Sequence, residues 1–276
     1  FSLIYLGIFS LIISFLSFLN IIYSYYFNLY LNLNSYIYSL IISLILGIIF
    51  LFKNKDNFKI SIYHKILIVI LGYLILPCII SIPFYFSIYN ISFLDSYFEA
   101  ISGFTSTGFT VFDNIKHLDE SLILWRSSSQ WIGGLYFLFS IILLIDIFDD
   151  NLKKSLTNFL SFNTSEVLKQ SSKILILYIL LTFCIFITLK IFNFRFFDSF
   201  NLAMTLISSG GFLPVNHLST IVNTNAKEII FSLLMLISFF SIFLSYNLFF
   251  VKNKDINFFQ EDIYLFLYLI TLIATF

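Results

Sequence analysis

Thr105-Ser106-Thr107-Gly108 and Ser208-Ser209-Gly210-Gly211 are two short runs of hydroxyl residues ending in glycine. The chemistry open to them is to hold a bare cation. An alkali ion that sheds its water needs replacement oxygens, and a row of backbone carbonyls supplies them. Glycine permits torsions closed to other residues and puts no side chain in the path. Neighbouring Ser and Thr hydroxyls bond local backbone and set its shape. Neither run holds a carboxylate, which argues against a divalent-ion site built on side chains.

Stepping outward, each run ends a short apolar segment, FLDSYFEAISGF at 93–104 and FFDSFNLAMTLI at 196–207. The two segments are copies. A shift of 103 places Asp95, Ser96, Ala100, Ser106, Gly108 and Phe109 on Asp198, Ser199, Ala203, Ser209, Gly211 and Phe212. Each segment is too short to span a bilayer, which takes roughly 20 apolar residues, and each sits between two long apolar stretches. A half-helix that enters the membrane and returns as extended backbone is tolerated only where that backbone lines a cavity or binds something. In either copy alone a tight turn would explain the residues; repetition in equivalent positions argues for a pore.

The expected half-helices carry their own signals. Ser96 and Glu99 fit a capping box, with Ser96 as N-cap and Glu99 reaching back to its N–H. Asp198-Ser199 offers similar capping in the second copy. The C-terminal end of a helix carries about half a negative charge, so two such ends converging on one point favour a cation.

Composition fits a membrane setting. Hydrophobic residues make up 59% of the 276 and charged residues 11%, where a soluble domain would carry about 25% charge; mean hydropathy is +0.97. The expected fold is an all-α polytopic membrane protein of span–pore-helix–span repeats with re-entrant filter loops, preceded by a two-span hairpin. Long apolar stretches fall at 3–24, 36–52, 65–88, 121–147, 174–193, 229–251 and 263–276. They divide the chain into a hairpin (1–58), a first repeat (59–151), a second repeat with a leading cytoplasmic segment (152–255) and the start of a third (256–276). The sequence opens on Phe1 and stops at Phe276 inside an apolar run, so it is expected to be part of a longer one. Lysines 53, 55, 59, 65, 153, 154, 169, 173, 252 and 254 all fall in alternate loops. By the positive-inside bias those loops and the N-terminus are cytoplasmic, and both half-helices enter from outside.

Other residues are less decisive. Arg126, Gln130 and Trp131 share a face of the fourth span; Arg126 either pairs with Glu99 inside the protein or anchors at the headgroups beside Trp125. Gly133-Gly134 are expected to permit close helix packing. Cys78 and Cys184 lie mid-span without companions and are expected to be packing residues. Three scattered histidines offer no metal site and no catalytic cluster, so an enzyme is not expected. Zero net charge without a basic stripe excludes nucleic acid as a partner.

The motif FEAISGFTSTGF, followed by LILWRSSSQWIGG at 122–134, resembles the first repeat of the Trk/Ktr/HKT family of potassium transporters, most nearly its bacterial TrkH type. ISSGGF at 207–212 is similar to that type's second filter. The resemblance implies four repeats around a pseudo-fourfold pore, each giving one glycine-containing filter strand, with K⁺ as the transported ion and no bound cofactor. It also implies a homodimer in the cell (inner) membrane and a cytoplasmic nucleotide-binding regulatory subunit of TrkA type. The chain departs from this pattern in holding two repeats, and its second filter ends F-L-P-V-N where more hydroxyls are usual. The implied function is potassium uptake through a carbonyl filter. The competing reading is a Na⁺- or H⁺-coupled secondary transporter with discontinuous helices, which would be expected to carry an ionisable residue deep in a span.

Overall fold

The computed structural model describes residues 2–52, 62–144, 167–239 and 271. Eight α-helices account for most of these: α1 (Ser2–Tyr26), α2 (Leu33–Phe52), α3 (Ile62–Tyr85), α4 (Phe93–Phe104), α5 (Glu120–Leu144), α6 (Val167–Ile191), α7 (Phe196–Ile207) and α8 (Asn225–Phe239). No strand occurs among the described residues. Four helices, within α1, α2, α3 and α6, are by length and composition apolar enough to cross a membrane. The chain is a multi-pass membrane protein. Apart from residue 271, the expected span at 263–276 lies outside the described residues, as do the polar segment near 150 and the second half of the span at 229–251.

α1 and α2 form an antiparallel hairpin along a seam of small residues. Gly7, Ser10, Ser14 and Ser17 recur along one face of α1 and meet Gly47, Ser43 and Ser39 of α2. Ser17 and Ser39 hydroxyls lie 3.1 Å apart, and a Cβ on Gly7 would lie 3.1 Å from the Gly47 carbonyl oxygen. In a bilayer no hydrophobic force drives helices together, so close backbone approach and hydroxyl bonds do that work. The hairpin docks on α5 through Phe9, edge-on to Tyr136 at 4.9 Å, and through Tyr36, whose hydroxyl bonds Ser121.

The 103-residue repeat is written into the backbone. α4 and α7 match end for end under that shift. Asn90 and Asn193, then Ser106 and Ser209, all adopt left-handed torsions. Short 3-10 turns follow at Ile115–His117 and Leu218–Thr220. At 12 residues each half-helix is about 18 Å long, short of the ~30 Å hydrocarbon thickness.

α5 is the element on which both half-helices converge. A Cβ on Gly133 would run into the Phe104 backbone at the end of α4, and one on Gly134 would lie 2.7 Å from Ser208 Cβ at the end of α7. Two adjacent glycines thus each admit one half-helix, so their role is close packing. Serines 127–129 and Gln130 are buried along the same helix. Cys78 and Cys184, expected to pack, are exposed within this chain, and Cys78 donates to the Leu74 carbonyl one turn back.

Candidate functional site

The half-helices begin differently from the sequence expectation. Ser92, not Ser96, caps α4: its hydroxyl oxygen accepts the Asp95 N–H. Ser96 lies one turn inside and donates to the Ser92 carbonyl. Moving the cap four residues upstream frees Glu99, which forms no capping box. The second copy, by contrast, has no side-chain cap: Arg195 holds the cap position, Ser199 donates back to the Arg195 carbonyl, and Asp198 is buried.

Their C-terminal ends are alike. The Thr107 N–H bonds the Ser102 carbonyl at 2.9 Å and the Ser106 N–H bonds Gly103 at 2.9 Å. In the second copy Gly210 bonds Thr205 at 2.8 Å and Ser209 bonds Leu206 at 2.9 Å. This 6→1 and 5→2 pair is a Schellman ending, which needs a left-handed residue at its centre. Serine fills that place in both copies, with φ of 57° at Ser106 and 53° at Ser209. Thr105 and Ser208 close the helices as C-caps and Ser106 and Ser209 turn left-handed, so the runs expected to be extended leave the turn only at Thr107 and Gly210.

Beyond each turn the chain is irregular, and the two runs meet at their glycines. Gly108 has φ +83°, and a Cβ there would lie 2.6 Å from Gly211 Cα. On Gly211, a Cβ would lie 3.3 Å from Gly108 Cα and 3.6 Å from the Thr107 carbonyl oxygen. Thr105, Thr107, Ser209 and Gly211 are exposed, Ser106, Gly108 and Gly210 half-buried, and Ser208 buried. No group of His, Cys, Asp or Glu that could hold a metal occurs among the described residues, so any cation here would meet hydroxyl and carbonyl oxygens.

The first run then returns beside its own half-helix. The Ser102 hydroxyl donates to the Phe109 carbonyl at 2.6 Å, and the Glu99 carboxylate accepts the Val111 N–H at 2.9 Å and the Thr110 hydroxyl at 3.0 Å. Glu99 also meets Arg126, Nε to Oε1 at 2.7 Å, both side chains essentially without exposure. Arg126 is thus an interior partner of Glu99, and Trp125 is no headgroup anchor either: it is buried and donates to the Ile80 carbonyl. The charge of this buried guanidinium is matched within the chain by the Glu99 carboxylate. The guanidinium reaches the second run as well, donating to the Leu213 carbonyl at 3.4 Å and lying 4.2 Å from the centre of the Phe212 ring. The outer loops are tied together by Asn216, which accepts the Ile115 N–H and donates to Asn114.

What sequence reading missed is Gln130 as a contact of the second run, its Oε1 accepting the Phe212 N–H at 3.2 Å. The signal available was its place one turn after Arg126 on the same face.

No family model matches the chain. Among curated proteins it is 31% identical over 186 residues to an uncharacterized cation transporter of Methanocaldococcus jannaschii, an alignment covering 64% of this chain and 38% of that one. It is 30% identical over 82 residues to the Trk system potassium uptake protein TrkG of Escherichia coli and 32% identical over 82 residues to TrkH of the same organism; each alignment covers 29% of this chain and 17% of the relative. The crystal structure of the potassium transporter TrkH from Vibrio parahaemolyticus shares the fold, with a TM-score of 0.66 at 22% identity over 86% of this chain and 49% of that one. The chain spans about half or less of each of these relatives. The resemblance carried by the filter motifs is therefore matched by both sequence and fold.

Proposed function

We propose that this chain, similar in sequence to the Trk potassium-uptake proteins and in fold to TrkH, is the pore-forming part of a potassium-uptake system. The observation that carries the reading is the meeting of two identically terminated half-helices at Gly108 and Gly211. Helix C-termini bring partial negative charge to that point, and the backbone around the glycines supplies oxygens to replace the ion's water. The ion path runs past Thr105–Gly108 and Ser208–Gly211, with K⁺ as the cargo and the membrane potential as the drive. The activity is transport rather than catalysis, with no cofactor. The lysine-rich loops and the N-terminus face the cytoplasm of the inner membrane. The expected partners are a second copy of the protein and a cytoplasmic nucleotide-binding subunit of TrkA type.

The test is potassium-limited growth of an uptake-deficient host expressing the protein from its complete gene. Gly108→Ser should abolish selective uptake, because its Cβ would collide with Gly211 backbone from a left-handed torsion. Gly211→Ser should be milder, since its tightest neighbour would be 3.3 Å away. Unchanged growth and K⁺/Na⁺ discrimination in both variants would refute the filter assignment.

A further inference from the structure

The two runs are held in place by different devices. In the first, the half-helix itself ties the returning strand: Ser102 to Phe109, and Glu99 to Thr110 and Val111. A shift of 103 puts Leu202 at the place of Glu99 and Pro214 at the place of Val111. Leucine offers no acceptor and proline has no N–H, so both ends of the tie are gone. Thr205 replaces Ser102, yet its hydroxyl is buried with no partner.

The second strand is instead gripped from α5. Gln130, fully buried, accepts the Phe212 N–H through Oε1 at 3.2 Å. Its amide also lies against Gly210, where a Cβ would come within 2.5 Å of Oε1. Accepting an N–H fixes which way the amide faces, because the NH₂ end has no lone pair to offer. That Nε2 is itself buried with no partner in the chain, an exception among buried polar groups that calls for a reason. The matching positions in α8, Ile229 and Leu233, are apolar, so α8 lacks this device.

We propose that Gln130 is the positioning residue of the second filter strand: by anchoring the Phe212 N–H it sets the direction of the Gly210 and Gly211 carbonyls and so the discrimination between K⁺ and Na⁺. This rests on the filter reading above. Gln130→Met keeps length and volume but removes the acceptor, whereas Gln130→Glu keeps an acceptor oxygen. In the protein expressed from its complete gene, wild type first establishes whether selective K⁺ uptake exists; its absence would sink the filter reading itself. With uptake established, Gln130→Met should lower K⁺/Na⁺ discrimination about five- to tenfold, the range a single hydrogen bond can shift, at matched membrane level and thermal stability. Gln130→Glu should restore most of it. Unchanged discrimination in Gln130→Met would overturn the proposal. Should that variant fail to accumulate, an amide-to-ester replacement at Phe212 removes the same bond without touching Gln130. Loss of discrimination in the ester would support the proposal and its retention would overturn it.

Discussion

Replacing Glu99 by Gln removes one charge from a pair sealed inside the protein. Glu99 is 0% and Arg126 1% exposed, with Nε and Oε1 2.7 Å apart. Gln preserves the shape and one carbonyl oxygen, so the Val111 N–H and Thr110 hydroxyl can still find an acceptor. What is lost is compensation of the buried guanidinium, which then retains the Leu213 carbonyl at 3.4 Å and the Phe212 ring. Breaking one side of a buried pair typically costs about 3–5 kcal/mol; retention of the neutral bonds places Glu99→Gln at about 3 kcal/mol. It also leaves an unbalanced positive charge beside both hydroxyl–glycine runs, so under the proposed function cation uptake should fall further than stability alone explains. Arg126→Met removes the other partner, and the double variant removes both charges. If the pair acts as reasoned, the double variant should be no worse than Glu99→Gln alone, with a coupling energy of about 2 kcal/mol or more. The assay is unfolding of purified protein in detergent for wild type, both singles and the double, alongside uptake at matched membrane levels. Asp198→Asn, where no cap bond is lost, serves as comparison at about 1 kcal/mol, the ordinary cost of a single substitution. A coupling below about 1 kcal/mol, or an Asp198→Asn variant as damaged as Glu99→Gln, would refute the reasoning.

Gly133→Ala should destabilise by about 3 kcal/mol or more, because overpacking here would press a methyl on backbone at Phe104; Gly134→Ala should cost less, as its Cβ first meets the Ser208 Cβ and the Tyr178 hydroxyl. Unfolding of both variants in detergent orders them, and equal costs would contradict the geometry. Arg195→Gln breaks an ion pair with Glu120 whose arginine is 68% exposed, so its unfolding free energy should change by less than about 1 kcal/mol.

The sequence by itself determined the membrane class, the presence of two short helices and their duplication. These rest on local quantities: the length of an apolar run, a hydroxyl–glycine ending, and a spacing of 103 that recurs whatever the surroundings. Gly133-Gly134 were legible as packing glycines, with a hinge as the alternative, and the Phe104 and Ser208 contacts decide for packing. The tertiary structure alone decided which partner each polar group takes. Ser96-x-x-Glu99 has the spacing of a capping box, but Ser92 satisfies the helix start four residues earlier, leaving Glu99 for a guanidinium 27 residues away. Spacing states what a side chain can reach along its own helix, not what another helix will offer it. The choice between an interior and an interfacial Arg126 turned on the same point, because composition is blind to which face of α5 meets α4 and α7. Gln130 shows the limit most clearly. Its bond to the Phe212 N–H, and the role proposed for it, depend on Leu202 and Pro214 lacking the tie that the first copy keeps and on α5 passing close to the second strand, a relation set by packing across 82 residues of chain.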